Sequence, residues 1–342
     1  MSTTLHLDFS DPADLSRAAT LLRDGGLVAF ATETVYGLGA NALSAEAVAG
    51  IFSAKKRPSW DPLIVHLASV EQLTQIARIP AELVGRVAAL AEAFWPGPLT
   101  MLLPRTSAVA DAVTAGRELV GVRVPAHLAA RALLAAAGVP VAAPSANLFG
   151  HTSPTTAAHV LADLDGRIDA VLDAGPTSIG VESTVLDPTQ TPMVLYRPGA
   201  VSAEQLTAVT GVAVEVFVPT IEVQPASMPS PGVGIRHYAP RARLVLVEGS
   251  SEALQTALAE AAAAAQDGTI GVLLPQGWTL NAEAVIQSWG QWNDAETLAA
   301  GLFAGLRALD DCGVSMILCP LPEAGGIRDA VRDRLQKAAR SA

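Results

Sequence analysis

A run of prolines near the middle of the chain is the feature that most constrains its architecture. Five of them fall in one short stretch, and they are Pro219, Pro225, Pro229, Pro231 and Pro240. Because proline has no backbone N–H and stiffens an extended chain, this stretch favours a linker over a helix or a central strand. The length of 342 residues suits two domains. We therefore predict a first domain over residues 1–210, a linker over 211–241 and a second domain over 242–342.

The first domain alternates short apolar runs with helical patterns. Asp11 and Pro12 begin the first helix as a cap and a first-turn proline, and Gly25 ends it. Further helices are predicted over 44–57, 82–94 and 128–137. Strands are predicted over 27–31, 63–67, 99–103, 120–124, 141–143, 170–173, 183–187 and 193–196. Short strands with mixed connections predict an α/β fold of α+β type, in which helices pack on a sheet.

The second domain repeats a simpler alternation of strand and helix. Strands are predicted over 244–247, 270–274 and 316–319, and helices over 251–266, 294–309 and 327–339. This order is typical of a smaller, Rossmann-like parallel α/β domain. The glycines at 325 and 326 do not form a dinucleotide fingerprint, and we find no catalytic constellation in this domain.

The composition argues against several classes of protein. A net charge of −11 disfavours a broad basic surface, so we expect no stable binding to nucleic acid. The two cysteines, Cys312 and Cys319, and six scattered histidines show no zinc spacing. The first residues lack the pattern of a signal peptide, and no apolar run reaches the roughly 18 residues of a membrane span. We expect a cytoplasmic protein without a membrane segment and without a metal site.

Two motifs suggest chemistry in the first domain. The predicted strand over 27–31 stops at Thr32-Glu-Thr-Val-Tyr-Gly-Leu-Gly39, where glycines are expected at a tight turn or at a close approach to a ligand. The helix after Ser44 ends in Lys55, Lys56 and Arg57, and Pro58 prevents its continuation.

The chain has only three lysines, so this adjacent pair indicates a local need for compact cations, as at a phosphate. The alternative is that the cations only balance the dipole at the helix C-terminus.

Taken together with Pro62-Leu-Ile-Val-His66 and Ser145-Ala-Asn147, these motifs resemble the signature of the YrdC family. The resemblance covers residues 12–200, and Ser230 to Pro240 resembles the linker of the long, two-domain form of that family. It implies a twisted mixed sheet with a large concave cavity. It also implies that the linker acts as a lid over the active site.

The resemblance further implies a nucleotidyltransferase that acts in transfer RNA modification. Such an enzyme makes L-threonylcarbamoyladenylate and pyrophosphate from L-threonine, ATP and either bicarbonate or carbon dioxide. The adenylate then passes to a downstream transferase complex that forms N6-threonylcarbamoyladenosine. Mg²⁺ is expected to arrive with the triphosphate, without a dedicated protein site.

Four residues match the family's threonine-binding positions: Thr34, His66, Arg123 and Ser183. Arginine suits the bidentate binding of a carboxylate, and a buried arginine in a strand is rare without a partner. Taken alone, His66 also suits a satisfied core histidine, and Ser183 suits a local turn.

A larger set matches the family's ATP-binding positions, with Lys55 and Arg57 expected to be catalytic through the phosphates. The set is Lys55, Arg57, Asp61, Leu119, Ala143, Ser145, Asn147, Ser153, Arg197 and Tyr238. Taken alone, the serines and Asn147 suit ordinary turns, and Arg197 suits a surface cation. Lys56 is expected to be solvated.

Some positions depart from the family pattern. Asp61 stands where asparagine is frequent, and a carboxylate repels a triphosphate unless a cation intervenes. Lys56 stands where glycine is common, so the end of its helix is expected to differ.

Two alternatives stay open: a carbamoyl-transfer enzyme of the same fold and an RNA-binding or regulatory module. The first usually carries zinc-finger-like cysteines, and the second should show a basic face.

Overall fold

The structure is a computed structural model that describes residues 3–218, 228–230, 237–264 and 269–340. It contains two compact units. The first comprises Met1–Phe149, Pro154–Ser178 and Glu182–Gly234, and the second comprises Gly150–Ser153, Ile179–Val181 and Ile235–Ala342. Much of the predicted linker, at 219–227 and 231–236, lies outside the described residues, as does the predicted helix end at 265–266. The lid therefore stays a prediction.

Eleven strands of the first unit form one sheet. They are β1 (Leu5–Asp8), β2 (Val28–Ala31), β3 (Tyr36–Asn41), β4 (Ile64–His66), β5 (Leu99–Pro104), β6 (Leu119–Arg123), β7 (Val141–Ala142), β8 (Ala170–Asp173), β9 (Thr184–Asp187), β10 (Met193–Arg197) and β11 (Val214–Val216). Their order is β1-β8-β2-β3-β7-β4-β6-β5-β9-β10-β11. The sheet contains both parallel pairs, such as β4 with β6, and antiparallel pairs, such as β5 with β6. The predicted mixed sheet is confirmed, whereas the large concave cavity stays a prediction.

Eight α-helices accompany this sheet among the described residues. They are α1 (Pro12–Arg23), α2 (Ala45–Lys55), α3 (Leu73–Ile76), α4 (Val84–Phe94), α5 (Asp111–Thr114), α6 (Leu128–Ala137), α7 (Ala157–Leu164) and α8 (Ala203–Thr210). The alternation of β2 explains the two layers of core. Val28 and Phe30 pack with residues of α1 and α6, whereas Ala29 and Ala31 belong to a second core cluster that also contains residues of α2 and α4.

Local sequence signals set several helix ends. The side chain of Asp11 accepts a hydrogen bond from the Ala13 N–H at the start of α1, and Ser44 accepts from Ala47 at the start of α2. At the end of α2, Lys56 takes a left-handed backbone with a φ of 52°. This conformation explains why a glycine suits that position, since glycine adopts it without a steric penalty from Cβ.

The interpretation of Gly37 and Gly39 as turn glycines is wrong, whereas a close approach of their backbone to a ligand stays a prediction. Both lie inside β3, and the turn is made by residues 32–35 between the paired ends of β2 and β3. A Cβ on Gly39 would lie 2.8 Å from the Phe30 ring and 2.9 Å from Val141 Cγ1. Gly39 is therefore required by packing across the sheet.

Replacing Gly39 by alanine should lower the free energy of unfolding by about 1–3 kcal/mol, because the core must shift to admit a methyl group. Gly37→Ala is the matched control in the same strand, since its Cβ would lie 3.3 Å from Ala143 Cβ and needs a smaller adjustment. Denaturant unfolding of both variants tests the prediction. An unfolding midpoint of Gly39→Ala at or above that of Gly37→Ala would contradict it.

Among its described residues, the second unit contains four strands: β12 (Arg243–Glu248), β13 (Ile270–Gln276), β14 (Val285–Gln291) and β15 (Met316–Leu321). All of them are parallel, in the order β12-β15-β13-β14. Its helices are α9 (Ser251–Ala264), α10 (Ala295–Asp311) and α11 (Ile327–Ala338). The predicted parallel α/β domain is confirmed. The strand β14 was not predicted, because its polar residues Gln287, Ser288 and Gln291 weaken the apolar pattern. Among the helices of the described residues, none is long and apolar enough to cross a membrane.

Candidate functional site

Arg123, at the end of β6, is the centre of a buried polar cluster in the first unit. Its Nη2 lies 2.6 Å from Glu33 Oε1, its Nη1 donates to Thr34 Oγ1 at 3.0 Å, and its Nε donates to the Gly97 carbonyl at 3.1 Å. Its strand partner in β4 is His66. Three of the four residues predicted to bind threonine thus lie together, since Thr34, His66 and Arg123 share this cluster.

Glu33 is the partner that a buried Arg123 needs, and sequence reasoning did not identify it. Burial alone would raise the pKa of the Glu33 carboxyl, but the charge and hydrogen bond of Arg123 outweigh burial, so this pKa is lowered. Its second oxygen accepts from the His127 N–H at the start of α6, at 3.3 Å. Glu33 therefore stays ionised and connects Arg123, at the end of β6, to the start of α6. The carboxylate within the Thr32–Gly39 motif is the sequence signal from which it could have been found.

The turn over 32–35 presents Thr34 to this cluster. Thr32 Oγ1 donates to the Val35 carbonyl at 2.6 Å and lies 2.8 Å from Thr34 Oγ1. The N–H groups of Thr34 and Val35 in turn lie 3.2 Å from Thr32 Oγ1. This side-chain turn explains the hydroxyl residues after β2, because threonine can satisfy backbone groups that leave a sheet.

His66 is a buried neutral imidazole. Burial, followed by the positive charge of Arg123, lowers its pKa to about 3. Its ring lies edge-on to Phe30, with the ring centroids 6.3 Å apart. Within the part of the chain that the structure describes, Nδ1 is buried and makes no hydrogen bond. An unsatisfied buried nitrogen is costly and points to a partner that a substrate supplies.

The depressed pKa of His66 predicts acid sensitivity. The unfolded chain binds a proton near pH 6.5, whereas the folded chain does so only near pH 3. Stability from this group is therefore complete above pH 6.5 and is lost as the pH falls towards 3. Between pH 6 and 4, wild type should lose up to about 1.4 kcal/mol per pH unit more than His66→Gln. Denaturant unfolding at several pH values measures this difference, and parallel curves would contradict it.

Ser183, the fourth residue predicted to bind threonine, lies just before β9. It contacts other residues than those of the Arg123 cluster. Its Oγ lies 2.8 Å from Thr100 Oγ1, and Arg197 donates to this Oγ at 3.1 Å and to the Ser183 carbonyl at 3.0 Å. Arg197 is thus buried on Ser183 and is not a surface cation. Strand β5 connects Ser183 to the Arg123 cluster, because Thr100 lies three residues after Gly97 and β5 pairs with both β6 and β9.

Lys55 is buried at the end of α2 and binds the loop over residues 145–147. Its Nζ donates to the carbonyl oxygens of Ser145 and Asn147, and its own carbonyl accepts from the Phe149 N–H at 2.9 Å. The ammonium therefore does more than balance its helix dipole, since it holds the Ser-Ala-Asn loop. The neighbouring Lys56 is exposed, as expected.

Arg57 and Asp61 form a buried ion pair, with Arg57 Nη2 2.9 Å from Asp61 Oδ2. Arg57 also donates to the Pro62 carbonyl at 2.8 Å, and its guanidinium lies 5.9 Å from the centre of the Phe149 ring. This pair supplies the cation that a carboxylate needs beside a triphosphate. A nucleotide contact by Asp61 stays a prediction.

The remaining predicted ATP residues are distributed over several elements. Ala143 follows β7 and donates its N–H to the Ile64 carbonyl at 2.9 Å. Leu119 begins β6, whereas Arg123 ends it, so the two lie about 13 Å apart along the strand. Ser153 and Tyr238 belong to the second unit. Among the described residues, no group of three or more His, Cys, Asp or Glu side chains is placed to hold a metal ion.

Comparisons with known proteins agree with both halves of this architecture. The Sua5/YciO/YrdC family model, described as telomere recombination, matches residues 20–199. The model of the threonylcarbamoyl-AMP synthase C-terminal domain matches residues 201–340.

Two curated relatives are similar over nearly the whole chain. The threonylcarbamoyl-AMP synthase of Bacillus subtilis is 43% identical over 344 residues, which cover 99% of this chain and 96% of that protein. The enzyme of the same name from Pyrococcus abyssi is 42% identical over 329 residues, covering 94% and 92%. A crystal structure of P. abyssi Sua5 complexed with L-threonine has a TM-score of 0.88 and 40% identity, covering 99% of this chain and 98% of that one.

Proposed function

The chain belongs to the Sua5/YciO/YrdC family, and from this premise we propose that it makes L-threonylcarbamoyladenylate and pyrophosphate. Its substrates are L-threonine, ATP and either bicarbonate or carbon dioxide. The observation that carries the proposal is the buried cluster of Arg123, Thr34 and a neutral His66 with an unsatisfied Nδ1. The names of the full-length relatives fit this function, and no observation favours a carbamoyl-transfer enzyme or an RNA-binding module.

The threonine side of the reaction is assigned to Thr34, His66, Arg123 and Ser183. Glu33, Thr34 and Gly97 engage three of the five N–H groups of Arg123 within the described residues, so donors remain for the carboxylate of the amino acid. The Nδ1 of His66 offers a further hydrogen-bonding atom. Because the cluster is buried, each of these polar contacts is stronger than it would be in water.

The ATP side is assigned to the loops around Lys55, Arg57, Ser145 and Asn147, with Asp61, Leu119, Ala143, Ser153, Arg197 and Tyr238. In the first step the threonine amine adds to carbon dioxide, loses a proton and becomes an N-carboxylate. In the second step this carboxylate attacks the α-phosphorus of ATP, and pyrophosphate leaves. No covalent enzyme intermediate is required, because cations and donors that hold two anions together both orient them and stabilise the developing charge.

Magnesium enters this scheme with ATP as the metal complex of the triphosphate. The product is a reactive mixed anhydride, so a transferase that acts on transfer RNA must consume it. We place the enzyme with that transferase in the cytoplasm.

The proposal is tested by measuring pyrophosphate release from ATP with bicarbonate and Mg²⁺, with and without L-threonine. The nucleotide product is identified by mass spectrometry. We expect release that depends on threonine and a product with the mass of threonylcarbamoyl-AMP. Release with L-serine or with carbamoyl phosphate but not with threonine would overturn the substrate, and no release under any of these conditions would overturn the enzyme assignment.

A further inference from the structure

The helix α10 carries a stripe of contacts that gathers three separate segments of the chain. Ala299, Phe303 and Arg307 follow at intervals of four residues and so share one face of the helix. All three are buried. The segments that meet this stripe include Gly150–Ser153 and Ile179–Val181, which belong to the second unit although they lie within the stretch matched by the first family model.

The first contact is made by Gly180, whose φ is 79°. A Cβ at this position would lie 2.5 Å from both the Ala299 carbonyl oxygen and the Ala300 Cα, and 2.8 Å from the Ala300 carbonyl oxygen. These are backbone atoms of a helix and cannot yield as a flexible side chain can. The loop over 179–181 therefore lies directly against α10, and only glycine fits there.

The second contact is made by Arg307, which is 8% exposed. Its Nη2 donates to the Thr152 carbonyl at 2.5 Å. On the other side of the same loop, the Ala239 N–H donates to the Gly150 carbonyl at 2.8 Å. The segment before Ser153 is thus held at both ends, and Ser153 itself is fully buried.

The third contact is made by Phe303, which stacks on Tyr238 with ring centroids 5.8 Å apart and an angle of 29° between the rings. The guanidinium of Arg334, from α11, lies 5.2 Å from the centre of the Tyr238 ring. Tyr238 has a φ of 64°, which is strained for a non-glycine residue and persists only where the surroundings hold it. Phe303 and Arg334 provide that hold.

We propose that the stripe of α10 positions the loops that bear Ser153, Ser183 and Tyr238, and that Arg307 and Gly180 are positioning residues of the reaction. This inference rests on the proposed function, which assigns Ser153 and Tyr238 to ATP and Ser183 to threonine. Ser153 directly follows Thr152, and Ser183 lies two residues after Val181, so a shift at α10 passes along the backbone to a binding side chain. Errors of about 1 Å in such a group can cost up to roughly 100-fold in rate.

The full-length Arg307→Met variant tests whether α10 positions the residues assigned to ATP. It removes the hydrogen bond to the Thr152 carbonyl, and we expect the KM for ATP to rise by about tenfold while the KM for threonine stays within about twofold. Arg307→Lys keeps a donor and should recover most of the ATP affinity. Arg332→Met is the matched control, because half-buried Arg332 of the same unit likewise donates to a backbone carbonyl, that of Pro322.

The Gly180→Ala variant tests whether α10 positions Ser183, which is assigned to threonine. In this variant the KM for threonine should rise by about tenfold. Gly277→Ala is its control, since Gly277 has a φ of 86° in the same unit but open space where a Cβ would lie. Equal changes in both KM values with a lowered melting temperature, or wild-type values in both variants, would overturn the inference.

Calorimetric binding of ATP and of threonine to the wild-type protein distinguishes a failure of the role of α10 from a failure of the proposed function. A wild type that binds both substrates, with an Arg307→Met that binds ATP equally well, overturns only the role of α10. A wild type that binds neither overturns the proposed function and this inference with it.

Discussion

Replacing Arg123 by lysine is expected to lower kcat/KM for L-threonine by about 100-fold, the largest effect of any single conservative change in the threonine cluster. The arginine serves Glu33, Thr34 and the Gly97 carbonyl at once, and a single ammonium cannot reproduce that planar fork while also binding a substrate carboxylate. Steady-state pyrophosphate release at varied threonine concentration measures the change.

The control for Arg123→Lys is Arg86→Lys. Arg86 also binds three groups, the carbonyls of Pro188 and Gln190 and the hydroxyl of Thr191, but none of them belongs to the cluster. Loss of the planar guanidinium at Arg86 should lower the free energy of unfolding and leave kcat/KM unchanged. If both variants lowered kcat/KM equally, or if Arg123→Lys kept wild-type kcat/KM, the assignment of Arg123 to threonine would be wrong.

Replacing Lys55 by alanine should slow pyrophosphate release by about 100- to 1,000-fold, because the change removes the cation that we propose stabilises charge on the phosphates. The same change leaves the carbonyls of Ser145 and Asn147 without their buried donor. We therefore also expect the free energy of unfolding to fall by about 1–3 kcal/mol. Single-turnover kinetics and denaturant unfolding measure the two effects separately.

The neighbouring Lys56 supplies the control for Lys55. It is exposed, carries the same charge and has the left-handed backbone that alanine shares at equal cost. Lys56→Ala should change stability by no more than about 0.5 kcal/mol and leave turnover unaltered. Slow turnover in Lys56→Ala, or normal turnover in Lys55→Ala, would show that the cation at Lys55 is not specific to the reaction.

Local sequence signals predicted the secondary structure best where the cause is itself local. The boundaries of α6, Leu128–Ala137, and of β8, Ala170–Asp173, agree at both ends with the predicted elements. The cap Asp11 was likewise identified, since a cap depends only on residues two or three positions away. The strand β3 was missed, because Phe30 and Val141, which require Gly39, lie elsewhere in the chain.

The residue types of the site were predictable, but their pairing was not. The need for a partner to Arg123 followed from the cost of burying a charge, whereas the identity of that partner did not, since Glu33 lies 90 residues away. The hydrogen bonds from Lys55 to two carbonyls were likewise not predictable. Every residue has a backbone carbonyl, so the sequence does not show which of them accept from Lys55.

The sequence by itself determined the two classes of domain and the boundaries of many elements, and it supplied the residue types from which the adenylate-forming site is proposed. These features depend on periodicity, capping and residue type, which act over a few positions. Only the tertiary structure decided that Arg123 pairs with Glu33, that Lys55 holds the Ser145–Asn147 loop, and that the segments 150–153 and 179–181 belong with the second unit. Packing and ion pairing join residues far apart in the chain, so their outcome is set by the whole fold.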